Sequence, residues 1–235
     1  MKIACHMIMS VDGRLLPKYW SPLYNASSSV TEVYEAADAK LSADGWIVGR
    51  KTMAEYGADV VEEKEPMEGH KTMQTNTFIG KREGRPLAVV FDIQGRLHYK
   101  SPTLPSGEHI VAVLGSHVTR AYQKELEEIG VSYIMRTPGS KLEETQSALK
   151  HLEHDFNVKH MLLEGGAITC GNFLQMGLVD ELSMIVYPGL DGESGHPSVI
   201  ECQGVVEPLK KNRLELIDCE TIGSGYVWLR YNIHR

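Results

Sequence analysis

Apolar and polar positions along this chain alternate between two periods. Short runs rich in Val, Ile, Leu and Met have the length of buried strands. Between them lie stretches whose apolar residues return every three or four positions, the spacing of an amphipathic helix. The first kind predicts strands over 2–9, 45–48, 86–91, 109–114, 131–135, 160–163 and 182–187. The second predicts helices over 30–41, from about 51, and over 116–129, 140–156 and 167–176. Ser140 with Glu143 three positions on spells a capping box, in which each side chain satisfies a backbone N–H of the other residue. The tail, 213–219 and 226–233 around Ile222-Gly223-Ser224-Gly225, predicts an antiparallel hairpin.

Strands interleaved with helices predict a three-layer α/β fold. Its central sheet is mainly parallel, because a crossover helix is what returns a parallel strand, and the C-terminal hairpin adds an antiparallel edge. A chain of 235 residues suits one domain, 1–235, with a sizeable core. The segment 57–85 is polar, charged and without period, and is expected to be a long excursion or lid rather than a linker.

Charge and cysteine usage narrow the partners. A net charge of -7 argues against nucleic acid and anionic membranes, which need a basic face. No apolar run approaches membrane-spanning length. Cys5, Cys170, Cys202 and Cys219 are scattered and form no C-x-x-C pair, so they read as thiols of a reducing compartment. Residues 1–9 form a short strand closed by Ser10-Val11-Asp12-Gly13, without an export cleavage pattern, and a cytoplasmic protein is expected. His151, His154 and His160 read as helix-end residues, and no metal is expected. His151-Leu152-Glu153 spells H-x-E, but no P-C-x-x-C follows to complete a zinc deaminase site.

Three strand exits carry candidate chemistry. At Glu164-Gly165-Gly166 an apolar strand meets an acid and two glycines, then the helix from Ala167. Positions without side chains let a phosphate approach the backbone, and a helix start offers N–H groups and a positive dipole end. At Gly49-Arg50-Lys51-Thr52 a strand meets a helix through two cations and a hydroxyl, which suits a dinucleotide phosphate, above all a ribose 2′-phosphate. At Ser10-Val11-Asp12-Gly13-Arg14 the first strand leaves through an acid and a glycine. Each also reads as a plain turn or cap. Ligands of open α/β sheets collect outside the carboxyl ends of strands, so the three exits are expected to share one crevice.

These motifs resemble the reductase domain of bifunctional riboflavin-biosynthesis enzymes and their stand-alone relatives, which share the dihydrofolate reductase fold. Ser10 to Arg14 is similar to the family's first-strand signature, and Gly49 to Thr52 to its phosphate-contacting turn. Val89-Val90-Phe91-Asp92 is similar to its strand ending in aspartate. Leu163 through Leu174, followed by Gly177-Leu178-Val179-Asp180-Glu181-Leu182, is similar to its most diagnostic motif.

The resemblance implies an NADPH-dependent reductase of a small pyrimidine- or pterin-like heterocycle, similar to 5-amino-6-(5-phosphoribosylamino)uracil reductase. It places cofactor on Ile8, Gly49, Arg50, Lys51 and Thr52, and on Gly165, Gly166, Ala167, Ile168, Thr169, Cys170, Gly171 and Asn172. It places substrate near His6, Ser10, Lys40 and Glu164, with Glu164 and Asp12 as candidate catalytic acids, and it implies a homodimer. Glu164 reads either as a proton donor or as an ionised acceptor for a heterocycle's N–H edge. His6 stands where the family usually carries a lysine, and Tyr56-Gly57 where it carries an aspartate, so substrate identity stays open. A dihydrofolate-type pterin reductase and a nucleotide-binding protein without catalysis are the alternatives.

Overall fold

The computed structural model describes residues 1–25, 27–57, 59–69, 77–204 and 207–235, leaving aside the side chains of Tyr56, Glu207 and Pro208. In chain order the elements are β1 (Lys2–Ser10), α1 (Val30–Leu41), β2 (Gly45–Gly49), α2 (Arg50–Tyr56), β3 (Val60–Glu62), β4 (Leu87–Phe91), β5 (Leu97–Tyr99), β6 (His109–Leu114), α3 (Arg120–Ile129), β7 (Ser132–Met135), α4 (Lys141–Asp155), β8 (His160–Leu163), α5 (Ala167–Gln175), β9 (Glu181–Tyr187), α6 (Glu207–Lys210), β10 (Arg213–Ile222) and β11 (Tyr226–His234). Two compact units arise from them. One holds Met1 with 44–161, the other 2–43 with 162–235.

In the unit of 44–161, β2, β4, β6 and β7 run parallel, with Ile47 opposite Val89, Val89 opposite Val111 and Val111 opposite Ser132. All six residues of β6 are buried, as a strand covered on both faces requires. Val48, Val90, Ala112, Leu126 and Tyr133 belong to its apolar core. Helix α4 starts where the capping box puts it: Ser140 Oγ accepts from Glu143 N at 3.3 Å, and Glu143 returns a bond to Ser140 N at 2.9 Å. Helix α3 starts later than its pattern predicts. Val118 N bonds Gly115 O at 3.2 Å in a turn, and the Thr119 hydroxyl caps Tyr122 N. It ends at Gly130, whose φ of 89° lies in the left-handed region that glycine tolerates.

The 57–85 segment departs from a structureless excursion. Its first part contributes β3, which pairs with β5 as a small antiparallel sheet, and Phe78 exchanges backbone bonds with Tyr133 at 2.9 and 3.0 Å. A three-residue strand is too short to show a period, so both β3 and β5 escape a pattern search. Residues 58 and 70–76 of the expected lid lie outside the described residues.

In the unit of 2–43 and 162–235, β1 and β9 are parallel, from Ala4 opposite Glu181 to Ser10 opposite Tyr187. Strand β11 pairs antiparallel with β9 and with β10, so the C-terminal hairpin forms as its turn residues predict. Helix α1 opens with a second capping box, Ser29 with Glu32, in the same S-x-x-E spelling as Ser140 with Glu143. Glu181 is buried between Lys2 at 2.6 Å and Arg230 at 2.7 Å. Two charge-assisted bonds hold a carboxylate that burial alone would neutralise. No helix among the described residues is long and apolar enough to cross a membrane.

Candidate active site

The parallel strand β1 turns His6, Ile8 and Ser10 to one face, because side chains alternate along a strand. His6 is fully buried. Its Nδ1 lies 2.8 Å from the Ser183 hydroxyl, which also accepts from the Trp228 indole N–H at 2.8 Å. Burial holds the His6 ring down to about 4, so it is neutral near pH 7. Its Nε2 meets no hydrogen-bond partner among the described residues. Tyr34, from α1, lies against the ring at 4.4 Å between centroids and donates to the His6 carbonyl oxygen at 2.8 Å. The same phenol hydrogen-bonds the side chain of Glu164, and burial first, then that neighbouring charge, pushes it well above its usual range. Half-buried by area yet enclosed at its hydroxyl end, Tyr34 thus links β1 to the acid after β8.

Glu164 leads into Gly165, whose φ of 119° only glycine adopts without strain, and a cis peptide bond joins Gly165 to Gly166. Gly166 is the N-cap of α5, and no side chain caps that helix. Along the first turns, Ala167 and Cys170 are buried, Thr169 and Asn172 half-buried and Ile168 exposed. Asn172 Oδ1 is buried without a hydrogen-bond partner among the described residues. Gly171 has no room for a side chain: a Cβ there would sit 1.9 Å from the Glu201 carbonyl oxygen. Cys170 hydrogen-bonds Cys5, which with burial raises its thiol well above the usual range. All four cysteines are free thiols.

Asp12 has a different character. Its carboxylate accepts from the Ser10 hydroxyl at 2.6 Å and from the backbone N–H groups of Gly192 at 2.8 Å and Asp191 at 3.1 Å. The Ser10 bond, then the two backbone bonds, hold it down to about 2. At neutral pH it is an ionised acceptor. Lys40 pairs with Glu220 at 2.7 Å and lies 5.3 Å from the Trp228 ring centre.

The other sequence-selected exit lies in the unit of 44–161. Gly49 is the N-cap of α2, Lys51 is exposed and Thr52 half-buried. Arg50 forms an ion pair with Glu62, which also takes Arg96 at 3.2 Å. Beside them Asp92 is fully buried. Its Oδ2 accepts from the backbone of Arg96 and Leu97 at 2.7 and 2.8 Å, and burial raises its carboxyl above the usual range. Arg50 is therefore already engaged by protein carboxylate, a partnership the motif did not reveal.

Sequence reasoning missed Tyr34, Ser183, Trp228 and Glu62. A signal existed for Ser183: Glu181 and Ser183 are polar at alternate positions of an otherwise apolar strand, and both are buried. Among the described residues no group of three or more His, Cys, Asp or Glu side chains could hold a metal ion, and His151 pairs with Asp155 at 2.5 Å.

Comparison with known proteins follows the same lines. The family described as the RibD C-terminal domain matches residues 1–228. A curated relative from Archaeoglobus fulgidus, named 2,5-diamino-6-ribosylamino-4(3H)-pyrimidinone 5′-phosphate reductase, is 26% identical over 152 residues, 64% of this chain; the match spans 65% of that relative's length. Among solved structures, a pyrimidine reductase-like protein from Corynebacterium diphtheriae is similar with a TM-score of 0.66 and 19% identity, covering 100% of this chain and 92% of its own. Acinetobacter baumannii RibD is similar at 0.63 and 19%, covering 99% of this chain and 58% of its own. At these identities the structural likeness speaks for the fold: mixed α/β, mostly parallel, with antiparallel C-terminal strands.

Proposed function

This chain belongs to the RibD C-terminal domain family, and we propose that it is an NADPH-dependent reductase of a pyrimidine intermediate of riboflavin biosynthesis. The substrate class is that of 2,5-diamino-6-ribosylamino-4(3H)-pyrimidinone 5′-phosphate, the compound in the curated relative's name, or of its 5-amino-6-(5-phosphoribosylamino)uracil counterpart. By analogy with the family, residues 1–235 act as a single reductase-like domain in a cytoplasmic homodimer.

One observation carries this reading: Glu164 stands directly before a glycine pair and a helix that no side chain caps. The turn fits a pyrophosphate. Gly165 presents backbone without a Cβ, and no side chain caps the first N–H groups of α5, which are the donors a phosphate accepts from. Gly165, Gly166 and the start of α5 through Asn172 would hold that group, with Ile8 beside it. Gly49, Arg50, Lys51 and Thr52 are assigned to the cofactor on the resemblance of their motif. Bound NADPH supplies the hydride.

The remaining work falls to the chain. Reduction of a C=N or C=O bond leaves charge on the heteroatom, which a nearby acid must meet. Glu164, fixed by Tyr34, is that acid or the acceptor that orients the heterocycle. His6, neutral and with Nε2 unspent, offers one directed hydrogen bond to substrate rather than a charge. A neutral imidazole where the family usually has lysine lowers the demand for an anionic substrate group at that point.

The test is absorbance of NADPH with each pyrimidine and with dihydrofolate. Oxidation driven by a ribosylaminopyrimidine phosphate supports the proposal. Oxidation with dihydrofolate alone would make the protein a pterin reductase, and silence with every heterocycle would leave only a nucleotide-binding role. Fluorescence titration should give tighter binding of NADPH than of NADH.

A further inference from the structure

The exits of β1 and β9 are laced together. Val11 N bonds Gly189 O at 2.9 Å, Leu15 N bonds Pro197 O at 3.0 Å, and Val199 N bonds Gly13 O at 3.0 Å. Arg14 and Ser198 form an antiparallel bridge, and the Arg14 guanidinium donates to the His196 carbonyl at 2.7 Å. At the head of this lacing the Asp12 carboxylate gathers the Ser10 hydroxyl and the Asp191 and Gly192 amides. The post-β9 segment then runs on to α5. Ser198 Oγ donates to Ile200 O at 2.7 Å, and Glu201 N donates to the carbonyl of Ala167, in the first turn of α5, at 3.1 Å. The Glu201 carbonyl packs so closely on Gly171 that nothing larger fits between them.

We propose that Asp12 is a positioning residue for the cofactor-binding turn: it anchors a strap, 189–201, whose far end sets the first turns of α5. This rests on the proposed reading of α5 as the NADPH site. Three donors converge on one exposed carboxylate, and charge-assisted bonds of this kind fix geometry better than neutral ones. An asparagine keeps the volume but offers one acceptor oxygen where two are in use, and it turns an N–H group toward the backbone amides. The strap then loses its anchor while both strands keep their pairing.

The experiment compares wild type, Asp12→Asn and Ser198→Ala by amide hydrogen exchange without cofactor, and by NADPH titration. Asp12→Asn is expected to speed exchange at Asp191 and Gly192 and also at Glu201, the remote end. NADPH binding should weaken between about 2- and 30-fold, the range found for coupling through packed networks. KM for NADPH should rise with KM for the pyrimidine unchanged. Ser198→Ala cuts the strap further along, so it should speed Glu201 and leave Asp191 as in wild type. Faster exchange confined to Asp191 and Gly192, with Glu201 and NADPH affinity unaltered, would overturn the proposal and reduce Asp12 to a local turn. Wild type that binds no NADPH would sink the proposed function, while the exchange data would still decide whether the strap transmits.

Discussion

Tyr34 donates to the backbone carbonyl of His6 at 2.8 Å, and its ring lies 4.4 Å from the His6 ring. One phenol thereby ties helix α1 to the face of β1 that carries His6, and the same hydroxyl meets Glu164. Tyr34→Phe removes the hydroxyl that both groups meet and leaves the ring packing intact. The expected cost is about 1–3 kcal/mol in urea unfolding, the penalty for a buried acceptor left unmet. Turnover should fall more than NADPH affinity, because Glu164 loses the group that orients it.

Glu164→Gln keeps the shape and removes the carboxyl proton. If Glu164 faces the substrate, kcat with the pyrimidine should fall about 100-fold or more, the usual scale for a lost general acid. NADPH affinity by fluorescence should stay within about twofold. Equal losses in both would move Glu164 from the substrate to the cofactor.

Acid should weaken the fold over a defined window. Burial depresses His6 and His109 to about 4, below the ordinary 6.5 of the unfolded chain. Between those values the unfolded state binds more protons, so stability rises with pH and levels off above about 6.5. For His6 the full span is about 3 kcal/mol. Urea midpoints from pH 4 to 8 should show this slope. His6→Asn, which keeps a group at the Nδ1 position facing Ser183, should reduce it.

Gly171→Ala sets helix propensity against a clash. Alanine gains about 1 kcal/mol in a helix interior. Its Cβ would lie 1.9 Å from the Glu201 carbonyl oxygen, a backbone atom that no rotamer change can remove. Overpacking costs typically about 1–3 kcal/mol, and at so close an approach the upper part of that range applies. A thermal midpoint lower by a few degrees is expected in calorimetry, together with weaker NADPH binding as Glu201 and the α5 turn separate.

Local rules carried the element order far. The capping box at Ser140, the buried run of β6 and the hairpin around Gly223 and Gly225 sit where the residues put them. The failures have two causes. β3 and β5 are stabilised by each other across the chain, not by any internal period, and α3 begins late because a turn at Gly115 competes for its first residues.

The candidate site divides the same way. Glycines at 165 and 166, an acid before them and a helix after them are a local arrangement, since φ preferences and helix capping depend on neighbouring residues alone. Partnerships are not local. Asp12 meets amides 179 and 180 residues away, and His6 meets Ser183 across 177 residues. Those contacts follow from the register in which distant strands pair. Composition and period say that a strand is buried, but not which side chain stands opposite. So the sequence marked where chemistry could gather. Tertiary pairing brought the Asp191 and Gly192 amides to the Asp12 carboxylate, held His6 neutral by burial and set Tyr34 beside Glu164, because enclosure and remote partners arise only when distant segments pack.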